Sequence, residues 1–527
     1  MSKKRNGWFF VVFLVSGQVA ACTVSTTPTP TPTPTAQALE CEVAIVGGGA
    51  GGLHTAYRLA SAMGSKVCLF EKEKELGGRI RDITLDDTKA DGLRIGLGAR
   101  RVMETQEVLF NLAKELGLEL ESPENAADLI HARKVFAFSK DDIAAKAYPS
   151  IPASTDKDKD RETVIYDTLR ASPERATLPS PKYPDFATYI KKVAGEEQYA
   201  FLRDMSRFRA DFEYPLDARG YLDYLDEEWD TCCAPSYPKG GMSAFIRGME
   251  VRAIQGGVRI FKEEPVSEIS KRDGRYELKT SKQTVRASKV VINAPPVGLD
   301  KIGGDVADRI KAQPQFQQIV GVKVVTVTQF WSESWWKAIK DPAATKNANV
   351  WRAWSTEHCL NFIEIPIEPY ADALKVTRSV YVDNLKCADY WDDLAKQGTA
   401  KVDEELQKQL TALFNNGVSS PATVAIPKPV KTVVQVWPGA WYWLKAGATI
   451  TNAQLADWAA EPLAGESVGL VGEAYNVNRS GWSDAAYKSS IKLLNTKYGM
   501  TLPGLKTKSA PMASVGPRSV NGFISFR

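Results

Sequence analysis

Three glycines and one carboxylate have the types and spacing of a nucleotide-binding site. Gly47, Gly49 and Gly52 follow an apolar run in a G-x-G-x-x-G pattern, and Glu71 lies 24 residues after Gly47. Glycines permit a tight turn and a close approach of the backbone to a pyrophosphate, whose charge the N-terminus of a following helix attracts. A carboxylate after the next strand can accept hydrogen bonds from ribose hydroxyls. The pattern predicts a dinucleotide site.

The elements around these residues are those that such a site requires. Residues 43–46 (VAIV) read as a short buried strand, a helical stretch runs to about Met63, and residues 66–70 (KVCLF) read as a second strand. Strand, glycines, helix, strand and acid in this order are far more specific than a glycine-rich turn alone. They do not distinguish NAD from FAD.

Further motifs along the chain carry a family resemblance. The segment after the second strand reads ELGGR, and three later segments complete the pattern: residues 239–242 (KGGM), 289–296 (KVVINAPP) and 470–489 (LVGEAYNVNRSGWSDAAYKS). Together they resemble the flavin-containing amine oxidase superfamily, and within it most closely the FAD-dependent L-amino acid oxidases. The resemblance implies that the cofactor is FAD.

The resemblance also assigns cofactor-binding residues and a fold class. Arg79 would lie along the FAD diphosphate, Val266 would contact the adenine, and Glu473 would meet the ribityl or diphosphate region. The implied fold is α/β, with a Rossmann-type FAD-binding domain assembled from residues 41–101, 236–304 and 461–500. Residues 102–235 would form a helical insertion, and residues 305–460 an α+β substrate-binding domain.

Substrate-binding residues follow from the same resemblance. Arg101 matches an arginine that binds the substrate carboxylate in L-amino acid oxidases, where its planar fork forms two charge-assisted hydrogen bonds. The alternatives are that Arg100 or Arg101 neutralises the FAD phosphates or makes a surface ion pair. Gly481 and Trp482 match a Gly-Trp pair in which the ring flanks the substrate and the glycine carbonyl accepts from the amine.

Three further features have two interpretations each. Lys323 begins the strand-like run KVVTVTQFW, which resembles the strand whose lysine bonds through water to the flavin N5; the alternative is an edge lysine. The cluster at residues 441–443 (WYW) is either a second aromatic wall or plain core. Glu364 would suit a basic substrate side chain, or it is an ordinary exposed glutamate.

The implied activity is FAD-dependent oxidation of an L-amino acid. Hydride would pass from the α-carbon to the flavin N5, and the products would be a 2-oxo acid, ammonia and, with molecular oxygen as acceptor, hydrogen peroxide. The alternatives are a monoamine or polyamine oxidase of the same superfamily and a non-catalytic, membrane-tethered flavoprotein.

The N-terminus has the pattern of an export signal. Lys3, Lys4 and Arg5 precede an apolar stretch and small residues, so residues 1–21 are predicted to be a signal peptide. Cys22 resembles the lipidated cysteine of bacterial lipoproteins; the alternative is a plain signal peptide. Residues 22–40 form a Thr/Pro-rich tether of extended character. We expect an exported protein of the bacterial envelope that contacts the membrane through its lipid anchor only.

Composition excludes several other classes. The 527 residues carry a formal net charge of only +4, and no dense Lys/Arg stripe indicates a nucleic-acid surface. The seven cysteines and three histidines show no spacing suited to a metal site. The expected partners are molecular oxygen and a small-molecule substrate, either an amino acid or an amine. We expect no nucleic acid and no metal, and the sequence leaves a homodimer open.

Overall fold

The computed structural model describes residues 38–84, 94–103, 105–121, 127–229, 235–339, 350–364, 375–415 and 423–504. The predicted signal peptide, Cys22 and most of the tether lie outside these residues. No helix within the described ranges is long and apolar enough to cross a membrane.

The strands, in chain order, are β1 (Leu39–Val46), β2 (Val67–Phe70), β3 (Asp82–Ile83), β4 (Ile95–Gly96), β5 (Leu120–Glu121), β6 (Ala127–Ala132), β7 (Val135–Ala137), β8 (Tyr237–Pro238), β9 (Arg259–Phe261), β10 (Val266–Arg272), β11 (Arg275–Thr280), β12 (Thr284–Ile292), β13 (Ile319–Phe330), β14 (Val350–Ser355), β15 (Asn361–Glu364), β16 (Val376–Val382), β17 (Lys431–Leu444) and β18 (Val468–Leu470).

The α-helices are α1 (Ala50–Met63), α2 (Glu107–Leu116), α3 (Lys140–Ala147), α4 (Arg161–Ala171), α5 (Phe186–Val193), α6 (Glu196–Met205), α7 (Ala210–Glu213), α8 (Ala218–Trp229), α9 (Ser243–Gln255), α10 (Pro296–Leu299), α11 (Asp305–Lys311), α12 (Pro314–Gln317), α13 (Leu385–Lys396), α14 (Thr399–Phe414), α15 (Asn452–Ala460) and α16 (Ser483–Lys497).

The first sheet builds the predicted dinucleotide unit. Its strands follow the order β10-β11-β12-β1-β2-β9, and β18 also pairs with β12. β1 runs parallel to both β2 and β12, and Val43, Ala44 and Ile45 are fully buried. An apolar run of this kind suits a parallel strand that is covered on both faces. The predicted first strand and the helix end at Met63 are confirmed, and the second strand begins one residue later, at Val67.

This sheet is assembled from three separated stretches of the chain. β1 and β2 come from the first, β9 to β12 from the second, and β18 with α16 from the third. The sheet is parallel where β1, β2, β9 and β18 join it, and antiparallel across the β10–β12 meander. The α/β fold class, with a Rossmann-type domain built from three segments, is therefore confirmed.

The second sheet forms the α+β part, in the order β17-β13-β16-β15-β14-β6-β7. The β6–β7 hairpin comes from residues 102–235, so the predicted helical insertion also contributes two strands to this sheet. The physical reason is that β6 pairs in parallel with β14, which buries Leu129 and Ile130 on opposite faces of the sheet. Helices α3 to α8 cover one face, and α13 and α14 cover the other.

Two disulfides join elements of this fold. Cys41–Cys68 links β1 to β2, and Cys359–Cys387 links the β14–β15 turn to α13. The spacing of the cysteines left these pairings unreadable, because each joins residues that only the tertiary fold brings together. Disulfides form and persist in oxidising compartments.

Candidate active site

The glycine loop forms where β1 ends and α1 begins. Gly47 has φ of 100°, and a Cβ on Gly52 would lie 2.1 Å from the Gly47 carbonyl oxygen. Asn293, which follows β12, donates its Nδ2 to that same oxygen at 3.2 Å. Only glycine fits a turn this close. α1 starts without a capping side chain and without an acidic residue in its first turn. Its N-terminal amides and dipole therefore suit a bound phosphate.

Glu71 supports this loop from the end of β2. Its Oε2 accepts from the Gly48 amide at 2.7 Å, and its Oε1 accepts from the Glu73 amide at 2.9 Å. The side chain is buried. The segment before Val266 also meets it, because the Glu264 amide donates to the Glu71 carbonyl at 2.8 Å. An ionised carboxylate has about four acceptor positions, so Glu71 can hold the loop and also accept from ribose hydroxyls.

Replacing Glu71 by alanine should weaken FAD binding about ten- to a hundredfold. The change removes a charge-assisted acceptor worth about 1.5–3 kcal/mol and releases the Gly48 amide. Fluorescence titration of the apoprotein with FAD measures the dissociation constant. Glu73→Ala is the control, because that side chain is exposed. FAD retention on dilution equal to wild type in Glu71→Ala would refute the assignment.

Arg79 and Glu473 form an ion pair beside the loop. Arg79 Nη1 lies 2.7 Å from Glu473 Oε2 and also donates to the Ala440 carbonyl. Burial alone would lower the pKa of Arg79, but the Glu473 carboxylate raises it above its usual value. Glu473 Oε1 accepts from the amides of Tyr442 and Gly481 at 3.1 and 2.9 Å. Both carboxylate oxygens of Glu473 are therefore engaged by protein donors.

Arg101 lies in a segment that packs directly against Arg79. A Cβ on Gly98 would lie 1.9 Å from the Arg79 carbonyl oxygen, and Trp437 Nε1 donates to the Leu97 carbonyl at 3.1 Å. Arg101 is buried, with Nη1 3.7 Å from Glu364 Oε1. The alternative of a surface ion pair for Arg101 is therefore wrong. The proposed carboxylate-binding arginine thus contacts Glu364 of β15, from a segment that packs on Arg79.

Glu364 is held by three arginines. Arg100 bonds its Oε2, Arg378 Nη1 lies 3.0 Å from the same oxygen, and Arg101 approaches Oε1. Burial would raise the pKa of Glu364, but these guanidinium groups lower it to about 2. Glu364 is only 6% exposed, so the alternative of an exposed glutamate is wrong. Its fixed charge serves the arginines, which argues against the binding of a basic substrate side chain there.

Two more buried arginines lie close by, and sequence reasoning missed them. Arg207 places its guanidinium 5.3 Å from the centre of the Phe362 ring, and Arg352 makes a bidentate pair with Asp128 at 2.6 and 2.7 Å. Burial, followed by Arg352 and Arg101, lowers the pKa of Arg207 well below its usual value. The available signal was arginine within apolar, strand-like runs at Arg352 and Arg378. We call Arg100, Arg101, Arg207, Arg352 and Arg378 the arginine cluster.

The aromatic residues divide between the site and the core. Trp482 is buried and directly precedes α16. The residue before it, Gly481, has φ of 78°. Trp443 packs against Tyr221 and Tyr224, with ring centroids 5.0 and 4.8 Å apart. Residues 441–443 thus belong to the hydrophobic core, which was the alternative to a second aromatic wall of the site.

Lys323 does not join these residues. It lies at a register shift of β13, and its Nζ bonds Asp389 and Asp392 of α13 at 2.8 and 2.6 Å. Burial would lower the pKa of Lys323, but the two carboxylates raise it above its usual value. The predicted contact with the flavin is therefore wrong, because both carboxylates draw the ammonium to α13, and the edge-lysine alternative describes it better. Val266, at the start of β10, packs in the core of the first sheet.

Comparison with known proteins identifies the family. The model of flavin-containing amine oxidoreductases matches residues 50–474. The chain belongs to this family. Its cofactor is FAD, and the glycine loop, the uncapped start of α1 and the buried Glu71 fit that group. Within the described residues, no set of three or more His, Cys, Asp or Glu side chains could hold a metal ion.

Solved structures of two amine oxidases share the fold. Putrescine oxidase bound to putrescine aligns with a TM-score of 0.62 at 16% identity, over 88% of this chain and 100% of that one. Cyclohexylamine oxidase from Brevibacterium oxydans aligns with 0.61 at 17% identity, over 86% and 99%. Identities this low establish the fold and leave the substrate open.

Curated relatives match shorter stretches. A 4,4'-diapolycopene oxygenase from Methylomonas sp. is 23% identical over 320 residues, which cover 52% of this chain and 60% of the relative. Flavin-containing amine oxidase B from Canis lupus familiaris is 36% identical over 92 residues, or 18% and 17% of the two chains. The chain thus spans 60% of the first relative's length and 17% of the second's.

Proposed function

We propose that this flavoenzyme oxidises L-amino acids to imino acids, which water hydrolyses to 2-oxo acids and ammonia, with molecular oxygen as the final acceptor of the two electrons and two protons and hydrogen peroxide as its product. The observation that carries the proposal is a buried arginine, Arg101, packed beside the FAD-binding segments. A guanidinium has five donors, so Arg101 can hold a substrate carboxylate in addition to its contact with Glu364. Bound FAD supplies the two-electron acceptor.

The chain's own residues supply binding and orientation. Arg101 would fix the substrate carboxylate in a bidentate geometry, and the Gly481 carbonyl would accept from the amine. Trp482 would exclude water from the substrate face. Lys323 is engaged by two carboxylates of α13, so the mechanism does not assign it as a base. Because no other strong base is assigned, the substrate enters with a neutral amine.

The second candidate is oxidation of a monoamine or diamine. It is favoured by the fold shared with putrescine and cyclohexylamine oxidases. The electrostatics of the arginine cluster argue against a diamine, because guanidinium groups repel a second ammonium when both are removed from water.

An anaerobic titration separates these functions. The holoprotein is mixed with each of the twenty amino acids and with common mono- and diamines, and the flavin absorbance is followed before and after air is admitted. Bleaching by an L-amino acid with recovery in air supports the proposal. Bleaching by amines alone selects the second candidate, and no bleaching at all indicates a non-catalytic flavoprotein.

We further propose that the protein is an exported lipoprotein of the bacterial envelope, tethered by Cys22. The two disulfides of the fold suit an oxidising compartment. Stable anchoring needs more than one acyl chain, as a lipidated N-terminal cysteine provides. Cys22→Ser should move the protein from the membrane fraction to the soluble exported fraction, whereas Thr23→Ala should not. A wild-type protein found entirely in the soluble fraction would exclude the anchor.

A further inference from the structure

We infer that Glu473 is a positioning residue. It fixes the loop of residues 480–482, here called the Trp482 loop, against β17. Three separate segments meet at this one carboxylate. Oε1 receives the Tyr442 amide of β17 and the Gly481 amide, at 3.1 and 2.9 Å, while Oε2 receives Arg79 at 2.7 Å. The side chain is 3% exposed. The inference rests on the proposed function, in which Trp482 and the Gly481 carbonyl face the substrate.

The carboxylate is anchored to the rigid part of the FAD-binding domain. Gly472 lies two residues after the end of β18 and has φ of 136°. Its amide donates to Ser489 Oγ of α16 at 2.8 Å. A Cβ on Gly51, in the first turn of α1, would lie 3.3 Å from the Gly472 nitrogen. Glu473 therefore begins directly beside the glycine loop, and its position is set by the first sheet.

The two segments that Glu473 joins also contact each other. Ser480 Oγ donates to the Tyr442 carbonyl at 2.7 Å, so both backbone polar groups of Tyr442 point to the Trp482 side. Tyr442 itself is held in a slot between two glycines: a Cβ on Gly439 would lie 1.9 Å from its Oη, and one on Gly321 would lie 2.8 Å from its ring. The close packing of the Tyr442 ring on Gly321 of β13, together with the pairing of β13 and β17, sets the position of β17 beside the loop.

An ionised carboxylate has about four acceptor positions, and three of those of Glu473 receive donors from the protein. The family resemblance assigns Glu473 to the cofactor, and the three protein donors point to a second role, in positioning. A carboxylate in this position acts on the substrate through Gly481 and Trp482. Reaction rates are sensitive to such placement, since a displacement of about 1 Å can cost on the order of a hundredfold.

Two variants of Glu473 test whether this residue positions the Trp482 loop or contributes only its negative charge. Glu473→Gln keeps the side-chain volume but presents an amide to Arg79, and Glu473→Asp keeps the charge but is one methylene too short to reach all three donors. Glu466→Gln is the matched control. Glu466 lies just before β18, at the strand's opposite end, and accepts from Arg309 and Tyr276 at 2.7 and 3.2 Å.

Hydrogen exchange of the apoprotein tests the geometry without cofactor or turnover. We expect the amides of Tyr442 and Gly481 to exchange about tenfold faster or more in both Glu473 variants and to be unchanged in Glu466→Gln. In Glu473→Gln the acceptor loses its charge, and in Glu473→Asp it is too short to reach both amides. In the holoproteins at saturating FAD, kcat should fall on the order of ten- to a hundredfold, with a smaller change in FAD affinity.

Two results would overturn the inference. One is wild-type exchange at both amides in both variants. The other is loss of FAD affinity together with wild-type kcat and KM at saturating FAD, which would make Glu473 a ligand of the cofactor. If the wild type oxidises none of the amino acids and amines tested, the proposed function fails. The exchange measurement on the apoprotein still decides whether Glu473 positions the Trp482 loop.

Discussion

Replacing Arg101 by alanine should lower kcat/KM for an L-amino acid by about two to three orders of magnitude, with little change in FAD content. Arg101 is buried beside the Arg79 segment, so a substrate carboxylate that loses its guanidinium partner stays partly desolvated. Leaving such a charge unpaired costs about 2–5 kcal/mol. Steady-state peroxide assays, with flavin content measured by absorbance, check both parts.

Three comparisons make this result specific. The decarboxylated amine of the same substrate should be oxidised equally well by wild type and Arg101→Ala. Arg101→Lys should recover only part of the loss, because an ammonium lacks the bidentate fork. Arg100→Ala, which removes a neighbouring partner of Glu364, should have the smaller effect. If Arg101→Ala loses flavin, or if the wild type prefers the amine, Arg101 serves the cofactor and amine oxidation becomes the better proposal.

The arginine cluster also bears on the pH dependence of this reaction. The pKa of Glu364 is lowered to about 2, so this carboxylate stays ionised at any pH near neutral. Its stabilising interaction with the arginines is present above the ordinary range of a glutamate and is lost only as the pH falls towards 2. A pH profile near neutrality should therefore reflect the substrate amine and not the loss of charge at Glu364.

Sequence reasoning found the parts of the site that are contiguous. The glycine loop, α1 and Glu71 lie within 25 residues of one another, and each is selected by local backbone requirements. Within the arginine cluster it found Arg100 and Arg101 but missed Arg207, Arg352 and Arg378, because these three come from the turn after α6, from β14 and from β16. No spacing rule links positions that only the second sheet and its helices bring together.

The misassignment of Lys323 has a related cause. Whether a strand residue faces one side of a sheet or the other depends on register, and β13 shifts register between Val322 and Val324. The two carboxylates that bind Lys323 lie more than 60 residues later, on α13. Glu473 shows the complementary case: its motif marked the residue, while its partners Tyr442 and Arg79 became visible only in three dimensions.

Gly52→Ala should weaken FAD binding strongly, with a loss of affinity of up to about a hundredfold. The new Cβ would lie 2.1 Å from the Gly47 carbonyl oxygen and 2.9 Å from Asn293 Cβ. The first of these is a backbone atom, so the conflict is relieved only by moving the loop that receives the pyrophosphate. Overpacking of this kind costs up to about 3 kcal/mol, which corresponds to roughly a hundredfold in affinity.

The matched control for this change is Gly303→Ala in the same domain, where the nearest atom to the new Cβ is 3.8 Å away. FAD titration of both apoproteins, with circular dichroism to confirm folding, compares a glycine needed for close approach with one that is not. Equal FAD affinity in the folded variants would mean that the loop adapts to a methyl group. The pyrophosphate would then depend on the N-terminus of α1 and on Arg79 more than on the close packing of Gly52 under Gly47.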